Sequence, residues 1–115
     1  MQVNIKRKQK YNAKKTQYRG WNFDSRAEAK YAEYLDGGVE SGEIYCWFRQ
    51  TPFDLGEDTR YRADFVVIEA DFTIYAIDVK GMETPGFKKI KKLWEKYGKI
   101  PLRIIKKGVL AYEIG

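Results

Sequence analysis

Three strand-like apolar runs follow one another in the middle of the chain: Glu43–Gln50 (EIYCWFRQ), Arg60–Glu69 (RYRADFVVIE) and Phe72–Lys80 (FTIYAIDVK). β-Branched and aromatic residues dominate each run, and these fit a pleated, half-buried surface. The first run is expected to end near Thr51-Pro52, because proline cannot donate to a ladder. Only Ala70-Asp71 separates the second run from the third, so those two are expected to pair as antiparallel neighbours. Phe72–Ile77 is apolar on both faces, the pattern of a central strand covered on both sides. Helical spacing flanks this block. Ser25-Arg-Ala-Glu28 has capping-box spacing, and the helix it opens is expected to reach about Leu35 and stop at Gly37-Gly38. A second helix over about Phe87–Tyr97 places Ile90, Leu93, Trp94 and Tyr97 on one stripe. Gln17–Phe23 reads as a hairpin turning at Arg19-Gly20, and Ile100–Ile105 and Val109–Ile114 as closing strands. The order hairpin–α–β–β–β–α–β–β predicts an α/β fold with a mixed central sheet flanked by helices.

At 115 residues the chain suits one domain, residues 16–115, preceded by a flexible basic arm over residues 1–15. The sequence has no apolar run near the ~20 residues of a membrane span and no signal-like start, which predicts a soluble, cytoplasmic protein. One cysteine, Cys46, excludes an intrachain disulfide framework and a multi-cysteine zinc site. The absence of histidine removes Ser-His-Asp and Cys-His triads, His-metal nucleases and zinc deaminases together. The net charge of +6 is unevenly spread: residues 1–20 carry +7, residues 88–115 carry +7, and the middle carries −8. Basic ends around an acidic centre suit a protein that grips a polyanion with its flanks and gathers carboxylates between them. A solvated lysine surface around an ordinary acidic loop region would look the same on charge alone.

The carboxylates are specifically placed. Asp78 and Lys80 stand at i and i+2 on the third run, so they share a face at the end of an apolar strand. Asp64 lies on the neighbouring strand, where antiparallel pairing can bring it beside Asp78. Two close carboxylates favour a shared divalent cation or a shared proton. Glu28 falls on the helical stripe of Tyr31, Ala32 and Leu35, the face expected to pack on the sheet, while Glu33 points away from it. Simpler roles exist for each: a capping-box Glu28, a rim carboxylate at Asp64, an ion pair between Asp78 and Lys80.

Glu28, Asp64 and Asp78-Val79-Lys80 resemble the E…D…(D/E)xK pattern of the PD-(D/E)XK nuclease superfamily. A longer resemblance, to small phage and prophage endonucleases of that superfamily, runs through Lys10–Lys15, Phe23–Ala29, Tyr61–Val66, Asp78–Gly81, Thr84 and the lysine-rich second helix. Two departures stand out: Ala63 precedes Asp64 where the family motif has proline, and Asp78 replaces a frequent Glu. Neither removes a ligand oxygen. The resemblance implies a restriction-endonuclease-like αβββαβ core and metal-dependent cleavage of DNA phosphodiesters. It implies that Asp64, Asp78, the Val79 carbonyl and Glu28 hold Mg²⁺, with Mn²⁺ as a substitute, and that Lys80 orients the attacking water or stabilises the transition state.

Contacts to DNA are expected from Lys10, Lys14, Lys15, Arg19, Arg62, Thr84, Lys88, Lys91 and Lys92, although Thr84 is equally suited to cap the second helix and the lysines to face solvent. Similar phage endonucleases include Holliday-junction resolvases. Branched DNA and a homodimer are therefore expected, with the hairpin as a candidate dimer element. The alternatives are a non-catalytic nucleic-acid-binding module on the same fold and a monomeric nickase acting on ordinary duplex.

Overall fold

The computed structural model describes residues 16–115. Lys10, Lys14 and Lys15, with the rest of the expected basic arm, lie outside the described residues. Strands β1 (Thr16–Tyr18) and β2 (Trp21–Phe23) form the expected hairpin. Its turn needs positive φ at both central residues, and Arg19 (φ 55°) and Gly20 (φ 79°) supply it. The hairpin packs on its own chain. Phe23 is 1% exposed, and Asp36 accepts hydrogen bonds from the Tyr18 hydroxyl (2.7 Å), the Arg19 guanidinium (3.0 Å) and the Trp47 indole N–H (3.0 Å).

Helix α1 (Arg26–Ser41) begins as expected: Ser25 is the N-cap, and its Oγ accepts from the Glu28 N–H at 3.1 Å. It does not stop at Gly37-Gly38. The helix continues to Ser41 and ends at Gly42, which adopts the left-handed conformation at φ 84°. Gly38 answers a packing need instead. A Cβ there would sit 2.5 Å from Ile44 Cδ1, so the missing side chain admits the following strand.

β3 (Ile44–Asp54), β4 (Arg60–Glu69), β5 (Ile74–Val79), β6 (Leu102–Lys106) and β7 (Val109–Ile114) form one mixed sheet in chain order. β3–β4, β4–β5 and β6–β7 are antiparallel; β5–β6 is parallel and is bridged by helix α2 (Pro85–Tyr97). β3 runs through Pro52, beyond its expected end. It is an edge strand, where a missing N–H breaks no inner ladder. β5 is shorter than expected. Phe72 and Ile74 are 67% and 40% exposed, and only Tyr75–Asp78 is buried along the strand.

Two cores lie on opposite faces of the sheet. Phe23, Ala29, Ala32 and Leu35 pack with Phe65, Val67 and Ile77 on the α1 side. Phe87, Leu93 and Trp94 pack with Val66, Ala76, Leu102 and Ile104 on the α2 side. Tyr97, expected on the buried stripe of α2, is 39% exposed at the last turn. Among the described residues no helix is long and apolar enough to cross a membrane.

Candidate functional site

β4 and β5 pair from Ile68↔Ile74 to Phe65↔Ile77. One further step in this register sets Asp64 across from Asp78. No backbone pair forms there. The Asp64 carboxylate replaces the strand carbonyl, and its Oδ2 accepts from the Val79 N–H at 2.7 Å. The cause lies in the strand itself. Ala63 packs in the α2-side core and Phe65 in the α1-side core, so the two-residue alternation slips at Asp64. On β3, Gln50 lies between the partners of Ala63 and Phe65 and has φ 53°. The slip turns Asp64 toward α1, where Glu28 is 7% exposed.

Glu28 and Asp64 share a hydrogen bond. Burial first, then the Asp64 charge, push the Glu28 carboxyl up from 4.5 to about 8. Burial also raises Asp64, opposed by the hydrogen bonds from Glu28 and the Val79 N–H and by the Lys80 charge. Both shifts run in the same sense, toward the protonated carboxyl. The Ser25 hydroxyl completes the cluster with a 3.2 Å bond to Glu28 Oε2. Ser25 thus caps α1 through the Glu28 N–H, while the Glu28 side chain faces the Ser25 hydroxyl and Asp64.

Asp78 is 4% exposed and points to the α2 side, as does Lys80. Burial raises Asp78 to about 6, against the pull of Lys80. The Lys80 Nζ lies 3.5 Å from Asp78 Oδ2 and 4.2 Å from the Phe87 ring centroid. Because the Lys80 charge lowers both Asp64 and Asp78, it joins the two carboxyl groups electrostatically across the strand end.

The donor set is all oxygen, the chemistry that hard divalent cations prefer. In the present side-chain arrangement Glu28 closes on Asp64 and Asp78 on Lys80. Among the described residues no three acidic or thiol side chains are grouped to hold a metal ion. The oxygen chemistry suits such a cation, but Asp64 turns to the α1 side and Asp78 to the α2 side, so the present arrangement does not bring the two carboxylates together on one ion. Glu28 joins them only by giving up its proton and its bond to Asp64.

The expected DNA contacts fall into two groups. Arg62, Lys88 and Lys92 are exposed. Arg19 is held by Asp36 and lies 5.0 Å from the Trp21 ring centroid, while Lys91 is held by Glu83 at 2.8 Å. Thr84 is the N-cap residue of α2, yet its side chain makes no capping bond. Sequence reasoning missed Glu83. It accepts from Lys91, from Lys106 at 2.8 Å and from the Tyr112 hydroxyl at 2.6 Å, which hold its carboxyl down at about 2. This clamp fixes the loop that leads from Lys80 to α2. Its partners stand 8, 23 and 29 residues away, so no local spacing announces it.

A family model described as "Protein of unknown function (DUF1064)" matches residues 8–112. The chain belongs to the DUF1064 family. The matched part of this DUF1064 chain includes Glu28, Asp64, Asp78 and Lys80. No curated protein and no solved structure matches it.

Proposed function

We propose that this chain is a divalent-metal-dependent endodeoxyribonuclease, with α1, β3, β4, β5, α2 and β6 as its αβββαβ core of PD-(D/E)XK type. The observation that carries the proposal is the opened end of β4 and β5. There Asp64 takes a backbone N–H that strand pairing would otherwise use, opposite the buried Asp78 and beside Lys80. Buried carboxyls with raised pKa, next to one cation, are the arrangement of a working site rather than of surface ion pairs.

Asp64 and Asp78 would hold the cation, with the Val79 carbonyl and a deprotonated Glu28 as further oxygen donors. The chemistry such a cation would supply is charge neutralisation at the scissile phosphate and a more acidic attacking water. Lys80, pinned between Asp78 and Phe87, would supply one positive charge to the reacting phosphate. Exposed Lys88 and Lys92 with the basic termini would bind the DNA backbone. We further propose branched DNA as substrate and a C2 homodimer as the working form, because junction resolution needs two cuts related by a two-fold axis. DNA recombination in the cytoplasm of a phage host would be the setting.

The test is a panel of end-labelled duplex, single-strand, flap and four-way-junction DNAs incubated with Mg²⁺, Mn²⁺, Ca²⁺ or EDTA. Cleavage is expected with Mg²⁺ and Mn²⁺ only. Asp78→Ala and Lys80→Ala should each lose at least ~10²-fold in rate while still binding DNA. Folded Asp78→Ala cutting at the wild-type rate would falsify the assignment. Binding without cleavage under every metal would leave a nucleic-acid-binding module. Equal cutting of junction and duplex by a monomer, with mass from light scattering, would leave a nickase.

A further inference from the structure

A cavity of about 340 Å³ opens beside this site, between the start of α1 and the β6–β7 turn. Ala27, Val79 and Ile105 form its apolar part. Ala27 adjoins Glu28, and Val79 is the residue whose N–H Asp64 holds, so the cavity and the carboxylates share a wall. Its aromatic side is Tyr34, 67% exposed, its ring tilted 45° against that of Tyr31 with centroids 5.2 Å apart. Tyr31 in turn lies against the buried Phe65 ring at 5.9 Å. A run of three rings thus leads from the core to the surface and holds Tyr34 in place. Lys30 and Lys107 stand at the mouth, both exposed. Lys107 is carried by a tight turn with φ 52° at Lys107 and 78° at Gly108.

We propose that this cavity receives one unpaired nucleotide of a DNA strand, its base on the Tyr34 ring and its phosphate between Lys30 and Lys107. The inference rests on the nuclease reading and names the substrate feature that the site selects. Its size lies at the small end of ligand cavities, roughly 300–1,000 Å³, enough for a nucleotide and too small for a duplex. An exposed ring flanked by cations is the general means of binding single-stranded nucleic acid, through a base's π-face and its phosphate charge. Stacking on a ring face accepts every base, so the selection is for an unpaired base whatever its identity. Bulges, flaps and gaps supply such a base, and an intact duplex does not.

The experiment uses the full chain in EDTA, which separates binding from cleavage. Two duplexes of equal length are compared, one intact and one carrying a single-nucleotide bulge of 2-aminopurine. The wild type should bind the bulged DNA more tightly and quench the 2-aminopurine. Tyr34→Ala should lower the bulged-to-intact affinity ratio by about 5- to 150-fold and remove the quenching. Tyr45→Ala, which removes a distant exposed ring, should leave the ratio unchanged. An unchanged ratio in Tyr34→Ala, or no quenching in the wild type, overturns the proposal, and Mg²⁺-dependent cutting by the wild type shows separately that the nuclease reading survives. Loss of the ratio in Tyr34→Ala together with a wild type that never cuts supports the nucleotide cavity and overturns only the nuclease reading.

Discussion

Replacing Glu28 by glutamine should make the protein more stable at pH 8 and flatten its pH dependence. The Glu28 carboxyl is buried against Asp64 and titrates at about 8, whereas the ordinary glutamate value is 4.5. Between those values the folded state keeps a proton that the unfolded chain has released. Stability is therefore greatest below the unfolded value and falls as pH rises through the interval, the reverse of a salt-bridged carboxylate. At ~1.4 kcal/mol per pH unit the interval amounts to about 5 kcal/mol. The rim of the site is open to water, and screening there reduces the expected effect to about 2 kcal/mol. Glutamine presents an N–H to Asp64 at every pH and suits the capping box as glutamate does, so it avoids the loss. Urea unfolding in EDTA at intervals from about pH 5 to 9 measures the difference. Asp78, raised to about 6, adds a slope at lower pH in both proteins, so the comparison is read above pH 6. There, over roughly the upper half of the interval, the wild type should lose about 1 kcal/mol more than Glu28→Gln. Parallel stability curves for the two proteins would refute the reasoning and reduce Glu28 to a helix cap.

Two further substitutions test the packing described above. Asp64→Ala should be less stable than Asp64→Asn by about 1–3 kcal/mol, because asparagine still offers an oxygen to the Val79 N–H and alanine leaves it unpaired; equal melting of the two would contradict that bond. Gly37→Ala should stabilise by about 0.5–1 kcal/mol, since nothing lies within 4 Å of the new Cβ in a mid-helix position. Gly38→Ala should forfeit that gain or reverse it through the clash with Ile44. Thermal melts in which both glycine variants shift alike would refute the close approach.

The hairpin, both helices and every strand were legible because local chemistry specifies them. Arg19-Gly20 fits its turn, Ser25 and Glu28 fit the start of α1, and the ranges Arg60–Glu69 and Val109–Ile114 are those of β4 and β7. The errors arose where tertiary contacts outrank local preference. Gly37-Gly38 resembles a helix stop, yet the contact between Gly38 and Ile44 keeps the helix going. Pro52 resembles a strand stop, yet β3 is an edge. Within the candidate site, the face shared by Asp78 and Lys80 followed from strand period alone. The pairing of Asp64 with Glu28 did not, because it depends on the slip between Ala63 and Phe65, which two-residue alternation cannot foresee. The Glu83 clamp and the tyrosine-lined cavity join segments distant in sequence and leave no periodic trace.

Asp64 finishes the β4–β5 ladder with its own side chain, and this bears on how the gene would decay. A copy released from selection for chemistry would still need an oxygen at position 64 to satisfy the Val79 N–H. Aspartate or asparagine would persist there for the sake of the sheet. Lys80 is under no such obligation: among the described residues its side chain meets Asp78 and the Phe87 ring and completes no strand hydrogen bond. In diverged copies, position 64 would track whether the sheet is intact, and position 80 whether the site still works.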